Sequence, residues 1–433
     1  MRAKGYLLIK GGRIIDPAGG LDRVADLLIK DGLVEGIIQP GKRMGMKAQE
    51  VISAQGKLVV PGLIDIHTHL REPGREDEET ILSGSQAAAA GGFTGVACMA
   101  NTQPPIDSQE GVRFVLEKAK QAKCRIYPIA AVTKGLRGEE LTEATDLVRA
   151  GAVALSDDGN PISNSQIMRR ALEYSKVLKI PICSHCEDRE LSSGGVMNES
   201  YTSTLLGLAG IPSISEEVMV ARDVHLAEFT EGRLHLAHLS TAGSLELVRE
   251  AKKRGVRVTA EATPHHLILT DELIGPSFDP NLKMNPPLRG RKDVEALREG
   301  LADGTIDCLV TDHAPHSPEE KDVEFAAAPF GIIGLETSLG LILTELYHKG
   351  LLDLQAIISL MSTNPAKILG LKGGNLKPGS PADVTIIDLK REWQVEPAKF
   401  RSKSKNTPFG GWTLQGKALA TIVGGEICFR EGI

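Results

Sequence analysis

Short apolar runs alternate with amphipathic segments through most of the chain, from about residue 60 to about residue 310. Several of these runs are almost continuously apolar, which is typical of parallel strands that are covered on both faces. The predicted strands span 60–67, 94–99, 125–130, 152–156, 179–184, 233–239, 256–261 and 306–311.

The segments between the runs repeat apolar residues every three or four positions, as one face of an amphipathic helix does. The predicted helices span 79–90, 111–123, 167–178, 215–230, 244–255 and 293–302. Strands that alternate with helices in this way predict an α/β protein with a (β/α)8 (TIM) barrel.

Both ends of the chain show another pattern, in which short strands are separated by glycine turns. Gly11-Gly12 and Asp31-Gly32 are such turns near the start, and Gly424-Gly425 is one near the end. Neither end has enough strands to bury a core alone. We therefore expect residues 1–58 and 373–433 to form one small β-sandwich domain and residues 59–372 to form the barrel.

The composition narrows the functional classes. The 433 residues are 41% hydrophobic and 24% charged, and the formal net charge of -6 gives no reason to expect a nucleic-acid partner. No apolar run reaches the roughly 18 residues of a membrane span, so no membrane association is expected. Six scattered cysteines do not form a disulfide framework, so the expected location is the cytoplasm.

Histidine and carboxylate side chains occur at the predicted ends of several strands, where the active site of a barrel of this class lies. His67 and His69 are two residues apart, so both imidazoles can project to one point. The polar residues at the strand ends are His67, His69, Arg71, Asn101, Asp157, Asp158, His185, His238, Asp312 and His313. Because imidazole and carboxylate converge without two cysteine pairs, the pattern predicts a hydrolytic site for one or two zinc ions.

Other candidate residues have weaker signals. Cys186 follows His185 directly, and adjacent strand residues face opposite ways, so we predict a small buried residue; a twisted strand end would instead direct its thiolate to zinc. His265 and His266 lie near the end of the seventh strand and could reach the pocket. The histidines with predicted packing or surface roles are His225, His235 and His348.

Seven motifs are spread along the chain. They are DIHTHLR at 65–71, SDDG at 156–159, SHCE at 184–187, AHLS at 237–240, TPHH at 263–266, KMNPPLR at 283–289 and TDHAPH at 311–316. Any one of them indicates only an amidohydrolase, but Arg71 together with residues 284–289 and 312–316 is more specific. With Asn406-Thr407-Pro408-Phe409 near the end, they resemble the bacterial class I dihydroorotases of the amidohydrolase superfamily over nearly the whole chain.

This resemblance implies a set of zinc ligands. They are His67, His69 and Asp312 for one ion, His185 and His238 for a second, and Asp158 as the bridge. Asp157 is the alternative bridge, because both carboxylates lie in the same turn. Many relatives instead bridge the ions with a carboxylated lysine on the fourth strand, but no lysine lies between Gly135 and Lys176. A site with one zinc ion is therefore the alternative to a site with two.

The resemblance also implies an activity, the reversible cyclisation of N-carbamoyl-L-aspartate to L-dihydroorotate in de novo pyrimidine (UMP) biosynthesis. Asp312 would be the catalytic acid and base, and Arg71 would clamp the substrate carboxylate. The implied substrate contacts are His69, Arg71, Asn101, Asn285, His316, Phe330 and Gly331. Residues 314–334 are predicted to form a long mobile loop that could cover the pocket.

Three other functions compete with this interpretation. Hydantoinase and allantoinase are related cyclic amidohydrolases, although Arg71 and the absent lysine argue against hydantoinase. Some relatives lack metal ligands and serve as non-catalytic partner subunits of aspartate transcarbamoylase, whereas no ligand is missing here. The resemblance further implies a homo-oligomer and allows association with aspartate transcarbamoylase in addition to catalysis.

Overall fold

The structure is a computed structural model that describes residues 5–41, 48–275 and 277–433. Within these residues, eight parallel strands form one sheet in which each strand pairs with its neighbours in chain order. The strands are Leu63–Thr68, Phe93–Cys98, Arg125–Ala130, Ala154–Ser156, Ile182–Ser184, Leu234–Leu236, Val258–Ala262 and Cys308–Leu309. The first strand meets the end of the eighth where the His69 N–H donates to the His313 carbonyl at 2.8 Å, so the predicted barrel is confirmed.

Helices follow most of these strands, as predicted. The α-helices are Ile81–Gly91, Gln109–Lys118, Ala144–Ala150, Ser165–Leu178, Arg189–Ser192, Tyr201–Leu206, Ile214–Thr230, Ala242–Lys253, Pro264–Ile268, Arg291–Ala302, Pro318–Lys321, Ser338–Ile342, Leu354–Ile358 and Asn364–Leu369. Several begin at a capping side chain; Thr80, Asn164 and Thr241 each accept a backbone N–H of the first turn.

Shorter helical segments complete the chain. The 3₁₀ segments are Pro17–Gly19, Ala119–Gln121, Lys134–Leu136, Asp271–Ile274, Pro280–Leu282 and Pro397–Lys399, and the π-helical ones are Leu343–Tyr347 and Ser359–Thr363. Among the described residues, none of the helices has the length and apolar character needed to cross a membrane.

Strands from both ends of the chain share a second sheet. Its strands are Tyr6–Asp16, Leu21–Lys30, Leu33–Ile38, Glu50–Ser53, Leu58–Pro61, Val384–Gln394, Thr413–Val423 and Glu426–Arg430. Leu58–Pro61 joins the two ends, because it pairs in parallel with the first strand of the chain and antiparallel with Val384–Gln394. A short parallel pair, Met197–Asn198 and Gly210–Ile211, lies outside both sheets.

The second sheet has an apolar core of its own. Ile14 and Leu27 from the start of the chain pack there with Val384 and Ile422 from its end, and all four are buried. The prediction that strands from both termini come together is therefore confirmed, as one sheet separate from the barrel, while the domain boundaries at residues 58 and 373 stay a prediction. The joining strand extends to Pro61, so the sheet continues beyond the first of these boundaries.

Candidate active site

Six predicted metal-ligating residues lie together where the barrel strands end. They come from the ends of the first, fourth, fifth, sixth and eighth strands: His67 and His69, Asp158, His185, His238, and Asp312. Two groups among them, His67/His69/Asp158 and Asp158/His185/His238, have nitrogen and oxygen atoms within 4.8 Å of one another. Both groups contain Asp158, so its carboxylate is the element that they share.

The distances describe a compact cluster around Asp158. Its Oδ1 lies 3.4 Å from Nε2 of His67 and 3.4 Å from Nε2 of His238. The same oxygen is 3.7 Å from Nδ1 of His185, and Oδ2 is 3.5 Å from Nε2 of His69. Asp312 approaches two of these rings as well, with Oδ1 3.0 Å from His69 Nε2 and 3.5 Å from His67 Nε2. One carboxylate therefore stands between two pairs of histidines.

The cluster contains buried polar atoms without protein partners. Nε2 of His67, Oδ1 of Asp158 and Nδ1 of His238 are buried and have no hydrogen-bond partner. Buried polar groups are almost always paired, so such atoms require an explanation. Neutral imidazole nitrogen and carboxylate oxygen are ligand types that zinc accepts. The residues present therefore fit a metal ion.

The surrounding charge keeps the carboxylates of the cluster ionised. Burial would raise the pKa of the Asp158 carboxyl, but the charge of His67 and the close approach of the His238 and His67 rings hold it well below its usual range. The pKa of Asp312 is likewise lowered, because His67 and His69 outweigh the effect of burial. Both side chains are available as acceptors for a metal ion or a proton.

Three residues of the site have a left-handed backbone, which L-residues other than glycine rarely adopt. The φ angle is +60° at Arg71, +29° at His238 and +49° at Asp312. Each of them follows a strand end, so the backbone turns away from the strand direction at the point where the side chain enters the site. Strained backbone of this kind is concentrated at functional sites.

Glu261, at the end of the seventh strand, contacts two buried histidines through its carboxylate. Its Oε1 lies 2.5 Å from Nδ1 of His67, and its Oε2 lies 2.8 Å from Nε2 of His235. Because a carboxylate only accepts, His67 holds its hydrogen on Nδ1 and directs Nε2 to Asp158. His235 is buried and packs against this carboxylate, which agrees with its predicted packing role. Glu261 ends the predicted strand 256–261 but was not among the predicted site residues.

A cavity of about 240 Å³ lies beside the cluster. Its lining includes His69, Arg71, Asn101, Asn285, His316, Phe330 and Gly331, together with Asp158, His185, His238 and Asp312. All the predicted substrate contacts therefore lie around one cavity. Five of the six predicted metal ligands line the same cavity. His67 is the one predicted site residue that does not line it, because its side chain is fully buried beneath.

The cavity wall is organised by further contacts. Glu78, which was not among the predicted site residues, pairs with Nε of Arg71 at 3.0 Å and lies 3.2 Å from Nδ1 of His316. Asn101 lies with Oδ1 2.8 Å from Nδ1 of His69, so its amide nitrogen is directed elsewhere. Nε2 of His316 donates to the carbonyl of Phe330 at 2.8 Å. Arg71, Asn101 and His316 also line an adjoining cavity of about 230 Å³.

Asp157 and Cys186, the two alternative metal ligands, both lie outside the cluster. Asp157 does not face the cluster, because its carboxylate accepts from the backbone N–H groups of Val132 and Thr133 at 2.8 and 3.0 Å. The Cys186 thiol is 3.6 Å from the Ser184 hydroxyl, among buried residues rather than metal ligands.

The other histidines lie outside the cavity lining. His265 and His266 are buried side by side with ring centroids 4.4 Å apart, and neither is among the residues that line the cavity. His313 is buried, with Nε2 3.3 Å from a carboxylate oxygen of Glu79. The histidines in helical patterns, His225 and His348, are exposed and lie outside the cavity lining.

Residues 314–334, predicted to be a mobile loop, are tied to the rest of the protein. Asn406 donates through Nδ2 to the carbonyls of Ala314 and Gly331 at 3.0 and 3.2 Å. Lys321 donates to the carbonyls of Pro280 and Pro329. The segment also contains the short helix Pro318–Lys321, so in this structure it forms an anchored wall of the cavity.

The family model and two full-length relatives that match this chain are described as dihydro-orotase-like or as dihydroorotases. Residues 56–244 match the family model described as dihydro-orotase-like. The chain is 54% identical to the dihydroorotase of Pelotomaculum thermopropionicum over 428 residues, which are 99% of each chain. It is also 54% identical to the dihydroorotase of Geobacter sp. strain M21 over 430 residues, covering 98% of this chain and 100% of that one.

Solved structures share the fold. The L-hydantoinase of Arthrobacter aurescens aligns with a TM-score of 0.87 at 28% identity, over 99% of this chain and 97% of that one. A D-hydantoinase from Thermus sp. aligns with a TM-score of 0.82 at 27% identity, over 99% of this chain and 96% of that one. The full-length relatives and the cavity geometry agree: the chain belongs to the dihydroorotase family of cyclic amide hydrolases.

Proposed function

We propose that this chain catalyses the zinc-dependent, reversible cyclisation of N-carbamoyl-L-aspartate to L-dihydroorotate and water. The observation that carries the proposal is the position of Arg71 at a cavity that the histidine and aspartate cluster also lines. A cyclic amide with a carboxylate substituent needs both parts, one to activate the amide carbonyl and one to bind the carboxylate. The full-length similarity to named dihydroorotases supports the same substrate.

Zinc is the metal that the donor set supports best, held by His67, His69 and Asp312 on one side and by His185 and His238 on the other, with Asp158 shared. In such a site zinc lowers the pKa of bound water and polarises a carbonyl oxygen. The two overlapping ligand groups favour two ions over one.

Asp312 is the proposed proton carrier. Its carboxylate is ionised, lines the cavity and lies 3.0 Å from His69 Nε2. During ring opening it would accept a proton from the attacking water and return it to the departing ring nitrogen. During cyclisation the same carboxylate would move protons in the reverse order.

Arg71 orients the substrate by its carboxylate. Its Nε donates to the carbonyl of Pro315 at 3.1 Å and pairs with Glu78, so the guanidinium is held on the cavity wall. A planar guanidinium can bind a carboxylate through two parallel hydrogen bonds. Asn101 and His316 flank it and would add polar contacts to the same end of the substrate.

The proposal is tested with purified, zinc-loaded protein by following the absorbance change with L-dihydroorotate and with N-carbamoyl-L-aspartate, while zinc per chain is measured by atomic emission. Turnover with close to two zinc ions is the expected result. Turnover with one ion would retain the reaction and discard the second metal site. Zinc without turnover of either compound, but with turnover of hydantoin or allantoin, would contradict the proposal.

We also propose a cytoplasmic, homo-oligomeric enzyme. All six cysteines are free thiols, which suits a reducing compartment. Association with aspartate transcarbamoylase stays a prediction from the family resemblance. Sedimentation of the protein alone and after mixing with aspartate transcarbamoylase tests both expectations. If this chain sediments as a monomer in both samples, both are contradicted.

A further inference from the structure

Glu187 lies two residues after His185 and makes two contacts within the site, although it is not one of the cavity-lining residues. Its Oε2 is 3.0 Å from Nε2 of His185 and 3.0 Å from Nδ2 of Asn285. The side chain is 15% exposed, so both contacts are largely shielded from water. One carboxylate therefore joins a metal-cluster histidine to a residue of the substrate cavity.

The first contact fixes the tautomer of His185. A carboxylate accepts hydrogen bonds but cannot donate them, so Nε2 of His185 carries a hydrogen and donates it to Glu187. The lone pair of the neutral ring is then on Nδ1. This atom lies 3.7 Å from Asp158 and 3.0 Å from His238 Nε2, on the side of the cluster.

The second contact fixes the orientation of the Asn285 amide. Its Nδ2 donates to Glu187, so Oδ1 is the free end of the amide group. Asn285 lines the cavity beside His185 and His238. Glu187 uses one of the two Nδ2 hydrogens and leaves Oδ1 free, so the residue offers a hydrogen-bond acceptor that suits an N–H group of a ligand.

We propose that Glu187 is a positioning residue that holds His185 ready for zinc and holds Asn285 as an acceptor for a ring N–H of the substrate. This inference rests on the proposed function, because it names a cyclic amide as the ligand. The same carboxylate contacts both residues, so it couples the metal centre to recognition of the ring. Removing the carboxylate should therefore weaken two properties together, zinc affinity and binding of the ring.

The first experiment measures zinc affinity without substrate. Wild-type protein, Glu187→Gln and the control Glu190→Gln are stripped of metal and titrated with zinc against a chromophoric chelator. Glu190 is exposed on the following helix, so its variant removes the same charge outside the site. We expect Glu187→Gln to bind zinc roughly 10–100-fold more weakly, as loss of a partner to a ligating histidine usually does, and Glu190→Gln to match wild type.

The second experiment separates ring recognition from metal binding. Asn285→Ala should raise KM at zinc saturation but keep wild-type zinc affinity, whereas Glu187→Gln should change both. In the double variant, the rise in KM should be smaller than the product of the two single effects, because both act through one amide. Wild-type zinc affinity or wild-type KM in a folded Glu187→Gln protein would overturn the proposal.

A third measurement does not depend on the folding of Glu187 variants. Competitive binding of L-dihydroorotate analogues methylated at either ring nitrogen is compared between wild type and Asn285→Ala. Methylation of one nitrogen should weaken binding to wild type at least about tenfold, and this penalty should largely disappear in Asn285→Ala. An equal penalty in both proteins would overturn the proposal. Failure of wild type to turn over L-dihydroorotate would contradict the proposed function instead, since the zinc titration needs no substrate.

Discussion

The adjacent carboxyl groups of Asp157 and Asp158 have different partners, which predicts different effects of the same substitution. Asp158→Asn removes the negative charge that lies between the two histidine pairs, so the zinc content should fall. The kcat should drop by more than the roughly 10–100-fold expected when a residue that only hydrogen-bonds a metal ligand is lost. Asp157→Asn should leave the zinc content unchanged. It should lower the free energy of unfolding by about 1–3 kcal/mol, because Val132 and Thr133 lose a charged acceptor.

Zinc analysis and urea unfolding of the two variants test this assignment. If Asp157→Asn lost zinc while Asp158→Asn kept it, the bridge would have to be assigned to Asp157.

Arg71 is predicted to discriminate substrates by charge. Arg71→Met should raise KM for L-dihydroorotate roughly 10–100-fold, because a charge-assisted hydrogen bond contributes about 1.5–3 kcal/mol. It should affect uncharged 5,6-dihydrouracil much less. Because Arg71 is also paired with Glu78, Arg71→Met/Glu78→Gln is the control that removes the unpaired buried carboxylate. Unchanged turnover of L-dihydroorotate by Arg71→Met would contradict the carboxylate clamp.

Site residues could be predicted from the sequence where their spacing along the chain indicates a shared side of a strand. The spacing of His67 and His69 follows from the alternation of side chains along a strand. By contrast, Glu261 contacts His67 across 194 positions of sequence, and nothing near His67 indicates that partner. Glu187 had a usable signal, because it lies two residues after His185 and so on the same side of an extended strand end.

Gly331 is predicted to maintain the shape of the cavity wall. Its φ of +117° disfavours any side chain, and an added Cβ would lie 2.7 Å from the Cβ of Ala314. Gly331→Ala should therefore displace the wall and raise KM at least about tenfold, with a stability cost of about 1–3 kcal/mol. Gly350→Ala is the matched control: its φ is +74°, but no atom lies within 4 Å of the added carbon. Equal KM values for the two variants would contradict this role.

Lys321 in the same segment should make stability depend on pH. Burial, helped by the nearby charge of Lys283, lowers the pKa of the Lys321 amine to about 7. Between this value and the usual pKa near 10.5, the unfolded chain binds more protons than the folded protein. The free energy of unfolding should therefore rise with pH over this range, by at most about 1.4 kcal/mol per pH unit from this group.

Lys321→Met should lack this contribution. Urea unfolding of both proteins from about pH 7 to 10 measures it as a difference that increases with pH in favour of wild type. A difference that stays constant across the range would show that Lys321 is not titrating there.

The elements were predicted where periodicity is strong, and less well where tertiary contacts decide. All eight barrel strands lie within or beside their predicted ranges, but the sixth ends at Leu236 because the chain turns to place His238 in the site. The segment 314–334 was predicted to be mobile from its prolines and charges. Its anchor, Asn406, lies about 70 or more residues away in sequence, and no local pattern could reveal it.

The whole molecule should depend on pairing between its two ends. A chain that stops after Leu371 lacks Val384–Gln394, which pairs with Leu58–Pro61, and loses six of the sixteen buried residues in the core around Ile14. We expect this chain to expose apolar surface and aggregate, and the amides of residues 5–41 to exchange rapidly with solvent. Slow exchange and good solubility of the truncated chain would contradict the shared domain.

The hydrogen bonds of Asn406 have a consequence for the order of synthesis. Every residue of the histidine and aspartate cluster has been added to the nascent chain by Asp312, whereas the residue that anchors the cavity wall follows 94 positions later. The metal centre can therefore assemble while translation continues. The substrate pocket is completed only when the final segment of the polypeptide folds back onto the barrel, so the cavity wall is the last part of the site to be fixed.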